Sequence, residues 1–301
     1  MNGPDGFINK VFNEDVASLL PRLPDESVDC IFADPDYNVG IRYNSKSYRK
    51  AFDEYIDWLA ALSHQFYRVL KPDGNLFIIN YPKNNAYLRV RLLDDLFDAI
   101  YEYVWTYNTN IGQHPRHFTT AHRSILHCTK TPMNKFFKDN VAQPYQNPTD
   151  RRIQHNLATG SKGRMPYSWV YANLVKNVSK EKTVHSCQIP QALSELLIAA
   201  STEPGDVVLI PFGGSGAEIS VCLKLNRRFV SAEIDRAYYD MILDRIQREG
   251  GIDASYRLLY RMKNHQSKTP SSAQLAMIRE ARASTNRGKA SVKKEAPHDE
   301  G

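Results

Sequence analysis

Four consecutive residues, Asp34-Pro35-Asp36-Tyr37, stand directly behind an apolar run through Val28, Cys30, Ile31 and Phe32. A carboxylate, a carbonyl on a chain whose φ is fixed by proline, and an aromatic face are thereby gathered at the carboxyl end of an expected strand, which is where open α/β sheets place their ligands. A second apolar run ends in Phe212-Gly213-Gly214-Ser215-Gly216, a glycine loop feeding a helical pattern, and the next expected strand ends in Glu233. Glycines let the backbone approach a ligand, and a carboxylate about twenty residues after such a loop is placed to accept from ribose hydroxyls. The two segments predict one site: hydrogen-bond acceptors and a ring beside a nucleotide-like cofactor.

The elements that must position these residues alternate between strand and helix patterns, as a doubly wound, mostly parallel sheet requires. Val28 to Ala33 reads as a strand and Phe52 to Leu70 as a helix, with Tyr55, Ile56, Leu59, Leu62, Phe66 and Val69 on one face. Lys71-Pro72-Asp73-Gly74 reads as a turn before a strand at Asn75 to Asn80, and a helix follows around Asn84 to Ile100. Tyr101 to Tyr107 and His122 to Cys128 are β-rich and suit an antiparallel pair. Pro190 and Pro204-Gly205 bracket a helix at Ala192 to Ser201, with proline in its tolerated first turn. Val207 to Ile210, a helix through Ala217 to Leu225, and Arg228 to Ile234 make one βαβ unit, followed by a helix at Tyr238 to Arg248.

The same residues resemble the S-adenosylmethionine-dependent amino methyltransferases of DNA, whose tetrad is Asp, Asn or Ser, then Pro-Pro, then an aromatic residue. Ile210-Pro211-Phe212-Gly213-Gly214-Ser215-Gly216 resembles the family's Asp-Pro-Phe-x-Gly-x-Gly loop, and Ser231-Ala232-Glu233-Ile234-Asp235 with Tyr238 resembles its Gly-Ile-Glu-Ile-Asp-x-x-Tyr motif. His185-Ser186-Cys187-Gln188-Ile189-Pro190 resembles its His-Pro-Thr-Gln-Lys-Pro segment. The likeness spans Asp29 to Arg245, and its order, tetrad first and cofactor loop last, is that of the permuted β group. The chain departs from the pattern at Asp36, at Ile210 and at Ile189, where the family usually has Pro, Asp and Lys.

The resemblance implies a Rossmann-like methyltransferase fold and transfer of a methyl group to the exocyclic N6 of an adenine flipped out of duplex DNA. That nitrogen is a poor nucleophile because its lone pair is delocalised into the ring. Asp34 and the Pro35 carbonyl would hold its N–H groups, and Tyr37 would stack on the base, an interaction worth roughly 1–3 kcal/mol. Direct transfer then depends on alignment more than on a strong base. Phe212, Gly213, Gly214, Ser215, Gly216 and Glu233 would hold S-adenosylmethionine, with Ser186 and Gln188 near its methionine end. Adenine is favoured because Asp is commoner than Ser at the first tetrad position of N6 enzymes. Cytosine N4 is the alternative acceptor, and a weak or inactive methyltransferase fold acting as a DNA-binding module is the alternative class. RNA is a further alternative substrate, although no RNA-binding module is evident.

The net charge of +6 over 301 residues is concentrated. Between His114 and Lys182 stand twelve Lys and Arg against three acids, an excess of nine. Aromatic, Gly and Pro residues are interleaved with them, so the stretch reads as an inserted, loop-rich target-recognition region facing phosphates. Its expected contacts to double-stranded DNA are Lys135, Lys138, Arg151, Arg152, Lys162 and Arg164. The expected organisation is a catalytic half at 1–130, the insertion at 131–182, a cofactor-binding half at 183–264, and a basic, mostly disordered tail at 265–301. A homodimer and a cognate restriction endonuclease are compatible with the resemblance, which decides neither.

Mean hydropathy is −0.50, and the sequence holds neither a run of 18 apolar residues nor a basic-then-apolar N-terminus. No membrane span or secretory signal is expected, and a cytoplasmic location follows by default. Cys30, Cys128, Cys187 and Cys222 form no C-x-x-C pair, so buried free thiols and no metal site are expected.

Overall fold

The structure, a computed structural model, describes residues 6–40, 42–43, 46–47, 49–108, 115–175 and 188–248. Lys10–Phe12 forms β1, Val16–Leu19 the short helix α1 and Val28–Ala33 β2. A small antiparallel hairpin, β3 (Arg42–Tyr43) and β4 (Lys46–Ser47), precedes α2 (Phe52–Val69) and β5 (Leu70–Asn80). α3 (Pro82–Leu88) runs through a π-turn at Arg89–Leu93 into α4 (Asp94–Leu96), and β6 (Ala99–Thr106) and β7 (His122–Thr129) follow. α5 (Arg151–Ala158) and β8 (Trp169–Tyr171) lie within the basic stretch. The chain then runs through α6 (Gln191–Ser201), β9 (Val207–Ile210), α7 (Ala217–Lys224), β10 (Arg228–Ala232) and α8 (Arg236–Arg248).

Eight strands form one sheet in the order β1-β10-β9-β2-β5-β7-β6-β8. All neighbours pair in parallel except β7, which is antiparallel to both β5 and β6. β2 and β9 are buried along their whole length, the unbroken burial expected of parallel strands covered on both faces. α2 packs its apolar side on this sheet through Tyr55, Ile56, Leu59, Leu62, Phe66 and Val69. From β2 the chain moves through α2 to β5 on one side, and from β9 it moves through α7 to β10 on the other. The strand order therefore reverses between β2 and β9, and a crevice opens at such a switch point beyond the carboxyl ends of the strands. Cys30 lies opposite Val208 and Ile31 opposite Leu209, so two residues farther on the tetrad and the glycine loop leave the sheet side by side.

Differences from the sequence reading have local causes. Lys71-Pro72-Asp73-Gly74 is not a turn but the first part of β5. The β2–β5 register slips between Val28 and Cys30, from Val28 opposite Leu70 to Cys30 opposite Asn75, which absorbs the extra residues as a bulge. Gly74 is required there, because a Cβ would meet the Asp29 carbonyl oxygen at 2.9 Å and Leu70 Cδ1 at 2.6 Å. β1 and β8 are too short to show a period in sequence, and α5 has no buried residue to give it an apolar face. β8 nevertheless places part of the basic stretch on the sheet, as an edge strand beside β6.

At the opposite, amino-terminal end of β2, Asp29 is buried and accepts from Lys71 Nζ at 2.7 Å, Lys135 Nζ at 2.8 Å and the Val207 amide at 2.9 Å. Burial alone would raise its pKa, but the hydrogen bonds from Lys135, Lys71 and Val207 outweigh it and hold the carboxyl below its usual value. Lys135 also reaches Asp206 at 3.2 Å. Cys30, Cys128 and Cys222 are free and buried, whereas Cys187 and the expected tail lie outside the described residues. No helix among the described residues is long and apolar enough to cross a membrane.

Candidate active site

A cleft at the switch point is lined by Asp34, Pro35, Asp36 and Tyr37 from the end of β2 and by Phe212, Gly213, Gly214 and Ser215 from the loop after β9. Glu233, beyond β10, closes it on the third side. Segments about 175 residues apart in sequence are thus walls of one crevice, as their strand-end positions predicted.

In the tetrad, Tyr37 is buried and its hydroxyl donates to Asp34 Oδ1 at 2.5 Å. Burial pushes the Asp34 carboxyl well above the usual carboxylate range, the Tyr37 hydrogen bond and the Arg123 charge pull it down, and Glu218 and Asp36 push it up. The Arg123 guanidinium lies 3.9 Å from the Tyr81 ring centroid, 5.2 Å from that of Tyr37 and 5.3 Å from that of Tyr107. It also donates to both the Tyr81 and Tyr107 hydroxyls. The Tyr37 ring therefore does not stand open to solvent: it meets Tyr81 edge-on at 5.5 Å and Arg123 in cation–π contact.

On the cofactor side, the Gly214 amide donates to Glu233 Oε2 at 2.7 Å and the Asp235 amide to Oε1 at 2.8 Å. Burial raises the Glu233 carboxyl to about 7 against the pull of those amides. Gly214 and Gly216 have φ of 51° and 70°, and a Cβ on Gly213 would stand 2.8 Å from Ile242 Cδ1, so the turn depends on glycine. Phe212 stacks obliquely on Trp58 at 5.9 Å. A carboxylate for a diol, a glycine turn and flanking rings fit a nucleoside-containing cofactor.

The family profile described as DNA methylase matches residues 28–244, from β2 to within α8. The chain belongs to the DNA methylase family. It is 32% identical over 252 residues to the type II methyltransferase M.BglII of Bacillus subtilis, covering 79% of this chain and 69% of that one. Identity is 30% over 241 residues to the DNA adenine methyltransferase YhdJ of Escherichia coli (strain K12), covering 78% and 82%. The solved PvuII DNA methyltransferase (cytosine-N4-specific) superimposes with a TM-score of 0.63 at 19% identity, over 85% of this chain and 91% of that one. That likeness establishes the fold, a Rossmann-like methyltransferase sheet.

In this DNA methylase the expected cofactor residues do not all face the cleft. Gly216 is the left-handed N-cap of α7, and Gln188 is buried beside Ile189, which does line the cleft. Ser186 lies outside the described residues. Motif reading missed other lining groups: Glu14 and Asp15 before α1, Tyr55 and Trp58 on α2, and Glu218 on α7. Asp15 caps α1 by accepting from the Ala17 amide at 2.8 Å, so an acid between a strand and a short helix was the available signal. Tyr55 reads in sequence only as part of the buried face of α2, and motif reading does not single out Trp58, three residues on. Glu218 is buried and accepts from Ser194 at 3.0 Å.

The six basic residues expected at DNA separate into three environments. Lys138, Arg151, Arg152 and Lys162 are exposed. Arg164 is half-buried with its guanidinium 4.2 Å from the Tyr167 ring centroid. Lys135 is placed elsewhere: its ammonium is held by Asp29 and Asp206 at the amino ends of the strands, away from the cleft. Its charge serves the buried Asp29, which corrects the expectation that it faces phosphate. Tyr167 and Trp169 are exposed and stacked at 6.0 Å, and Tyr171 continues the same face of β8. Trp169 is level with Val104, Val104 with Ser124, and Ser124 with Asn80. These rings therefore stand at the tetrad's end of the sheet.

Proposed function

We propose that this DNA methylase transfers a methyl group to the N6 of an adenine flipped out of duplex DNA. The observation that carries the reading is the meeting, in one cleft, of the Asp34-Pro35-Asp36-Tyr37 tetrad and the Gly214–Glu233 hydrogen-bonded turn. S-adenosylmethionine supplies the transferable methyl on a cationic sulfonium. Glu233 accepts from the ribose hydroxyls with the lone pairs that Gly214 and Asp235 leave, and the glycine turn lets the backbone close on the ligand. Asp34 accepts one N–H of the target amine and the Pro35 carbonyl the other, turning the nitrogen lone pair towards the methyl. A positive charge in the cleft favours ionised Asp34, so cofactor binding prepares the acceptor. The Tyr37 hydroxyl donates to Asp34 Oδ1, and the amine is met by the lone pairs this bond leaves on the carboxylate.

Adenine rests on aspartate at position 34 and on the likeness to a DNA adenine methyltransferase. Lys138, Arg151, Arg152, Lys162 and Arg164, with the exposed rings of β8, form the proposed DNA-facing surface. The test is transfer of a labelled methyl group from S-adenosylmethionine to mixed-sequence duplex DNA, followed by nucleoside analysis. The expected product is N6-methyladenine, lost by at least about 100-fold in Asp34→Ala, the scale of removing one preorganised polar group from a reaction centre. Labelled N4-methylcytosine overturns the acceptor. Cofactor and DNA binding without transfer to either base overturns the enzyme reading.

A further inference from the structure

The departure of the tetrad from its usual pattern has a structural counterpart. A proline at position 36 would fix φ there through its ring; aspartate leaves that torsion free, in the residue after the carbonyl that must aim at the amine. Immediately beyond it the backbone is tied down by side chains. The Tyr55 hydroxyl, from α2, donates to the Asp36 carbonyl at 2.6 Å. Asn80, at the end of β5, donates through Nδ2 to the Tyr55 oxygen at 2.8 Å. Asn84, on α3, donates to the Tyr37 carbonyl at 3.1 Å and to Asn80 Oδ1 at 2.8 Å, and the same Oδ1 accepts from the Tyr81 amide at 2.8 Å.

We infer that Tyr55, backed by Asn80 and Asn84, is a positioning residue that holds the tetrad by hydrogen bonds where the related pattern uses a second proline ring. All three side chains are buried, Tyr55 at 2%, Asn80 at 0% and Asn84 at 7% exposure, so water does not compete for these bonds and the polar groups depend on one another. Burial, with Asp36 and Asp34 nearby, raises the Tyr55 pKa, so the phenol stays protonated and keeps its donor. Pro35 is fixed by its own ring on one side of the reacting carbonyl, and the Asp36 and Tyr37 carbonyls are anchored on the other. The role rests on the methyl-transfer reading.

The experiment is a double-mutant cycle between Tyr55→Phe and Asp36→Pro, read as single-turnover methyl transfer at saturating cofactor and DNA. Tyr55→Phe in the parent chain is expected to slow transfer at least about ten-fold, since small misplacements of reacting groups are costly. In the Asp36→Pro background the same substitution is expected to cost no more than about three-fold, the coupling expected of groups that share one task. Equal losses in both backgrounds, or no loss in the parent, overturn the inference. Amide hydrogen exchange at Tyr37 and Asn38 provides a second measurement that needs no activity and no Asp36→Pro protein. Exchange there should accelerate about ten-fold in Tyr55→Phe, the mark of a local opening; unchanged exchange overturns the clamp. A parent chain that transfers no methyl overturns the reading beneath the inference, and the exchange result then still decides whether the clamp exists.

Discussion

Cofactor affinity should titrate with Glu233. The carboxyl is at the mouth of the glycine turn, 9% exposed, and burial sets its pKa at about 7 instead of 4.5. In the proposed cofactor mode ribose hydroxyls donate to the ionised form, so binding should be tightest above pH 7 and weaken as the carboxyl takes up a proton. If contacts in the complex return it to its ordinary 4.5, affinity falls by up to about 30-fold between pH 8 and pH 5.5, by linkage between ligand and proton binding. The folded, ligand-free protein follows the complementary sign. A carboxyl whose folded pKa is raised adds stability below its unfolded pKa, and that contribution is lost as pH rises from about 4.5 through about 7. Isothermal titration with S-adenosylhomocysteine, which lacks the sulfonium charge and so does not engage Asp34 in the same way, measures the effect. Glu233→Gln should bind about 10- to 100-fold more weakly at pH 8, the loss of one charge-assisted hydrogen bond of about 1.5–3 kcal/mol. It should also show no pH step near 7, since glutamine does not titrate and its amide nitrogen cannot accept from Gly214 or Asp235. A pH step that persists unchanged in Glu233→Gln, or a flat profile in the parent, refutes the assignment.

Two further predictions test the sorting of the basic residues. Lys135→Met should lower unfolding stability by about 1–3 kcal/mol, because Asp29 stays buried with one ammonium partner fewer, while DNA affinity changes less than about two-fold; denaturant melts and fluorescence anisotropy with duplex DNA report the two, and the reverse pattern returns Lys135 to the DNA surface. Arg151→Ala with Arg152→Ala should leave stability nearly unchanged and make the slope of log K against log salt shallower by about 1.8 for two lost phosphate contacts; an unchanged slope removes the N-terminus of α5 from the interface.

The parts legible in sequence were those with a long period or a fixed chemical spacing. β2 and β9 announce themselves as unbroken apolar runs, and α2 by its repeating buried face. The tetrad and the glycine loop could be assigned to one site because strand ends on either side of a switch point must be neighbours. What sequence could not show was which of several lysines faces which acid. Lys135 lies in the basic stretch, yet the β2–β5 bulge and the turn before β9 bring Asp29 and Asp206 to it. β8 was missed for a related reason: Trp169–Tyr171 is three residues long, and its partner is chosen by the edge that β6 leaves open rather than by its own pattern.

The same distinction explains why departures from a motif are poor guides when taken singly. Asp36 reads in sequence as a loosened tetrad, since a proline constraint is visible in the residue itself. The constraint that stands in its place is distributed over α2, β5 and α3, in Tyr55, Asn80 and Asn84, which read separately as helix face, strand end and helix start. A torsion can be fixed by a ring on the residue or by anchoring the peptides around it. The second solution leaves a buried hydroxyl and two buried amides whose hydrogen bonds are directed at the tetrad or at one another, apart from the one Asn80 Oδ1 accepts from the Tyr81 amide. Burying such groups is costly unless every bond is made, so the network is rigid where it is complete and fails together where one member is removed. That cooperativity is what a double-mutant cycle between positions 36 and 55 measures.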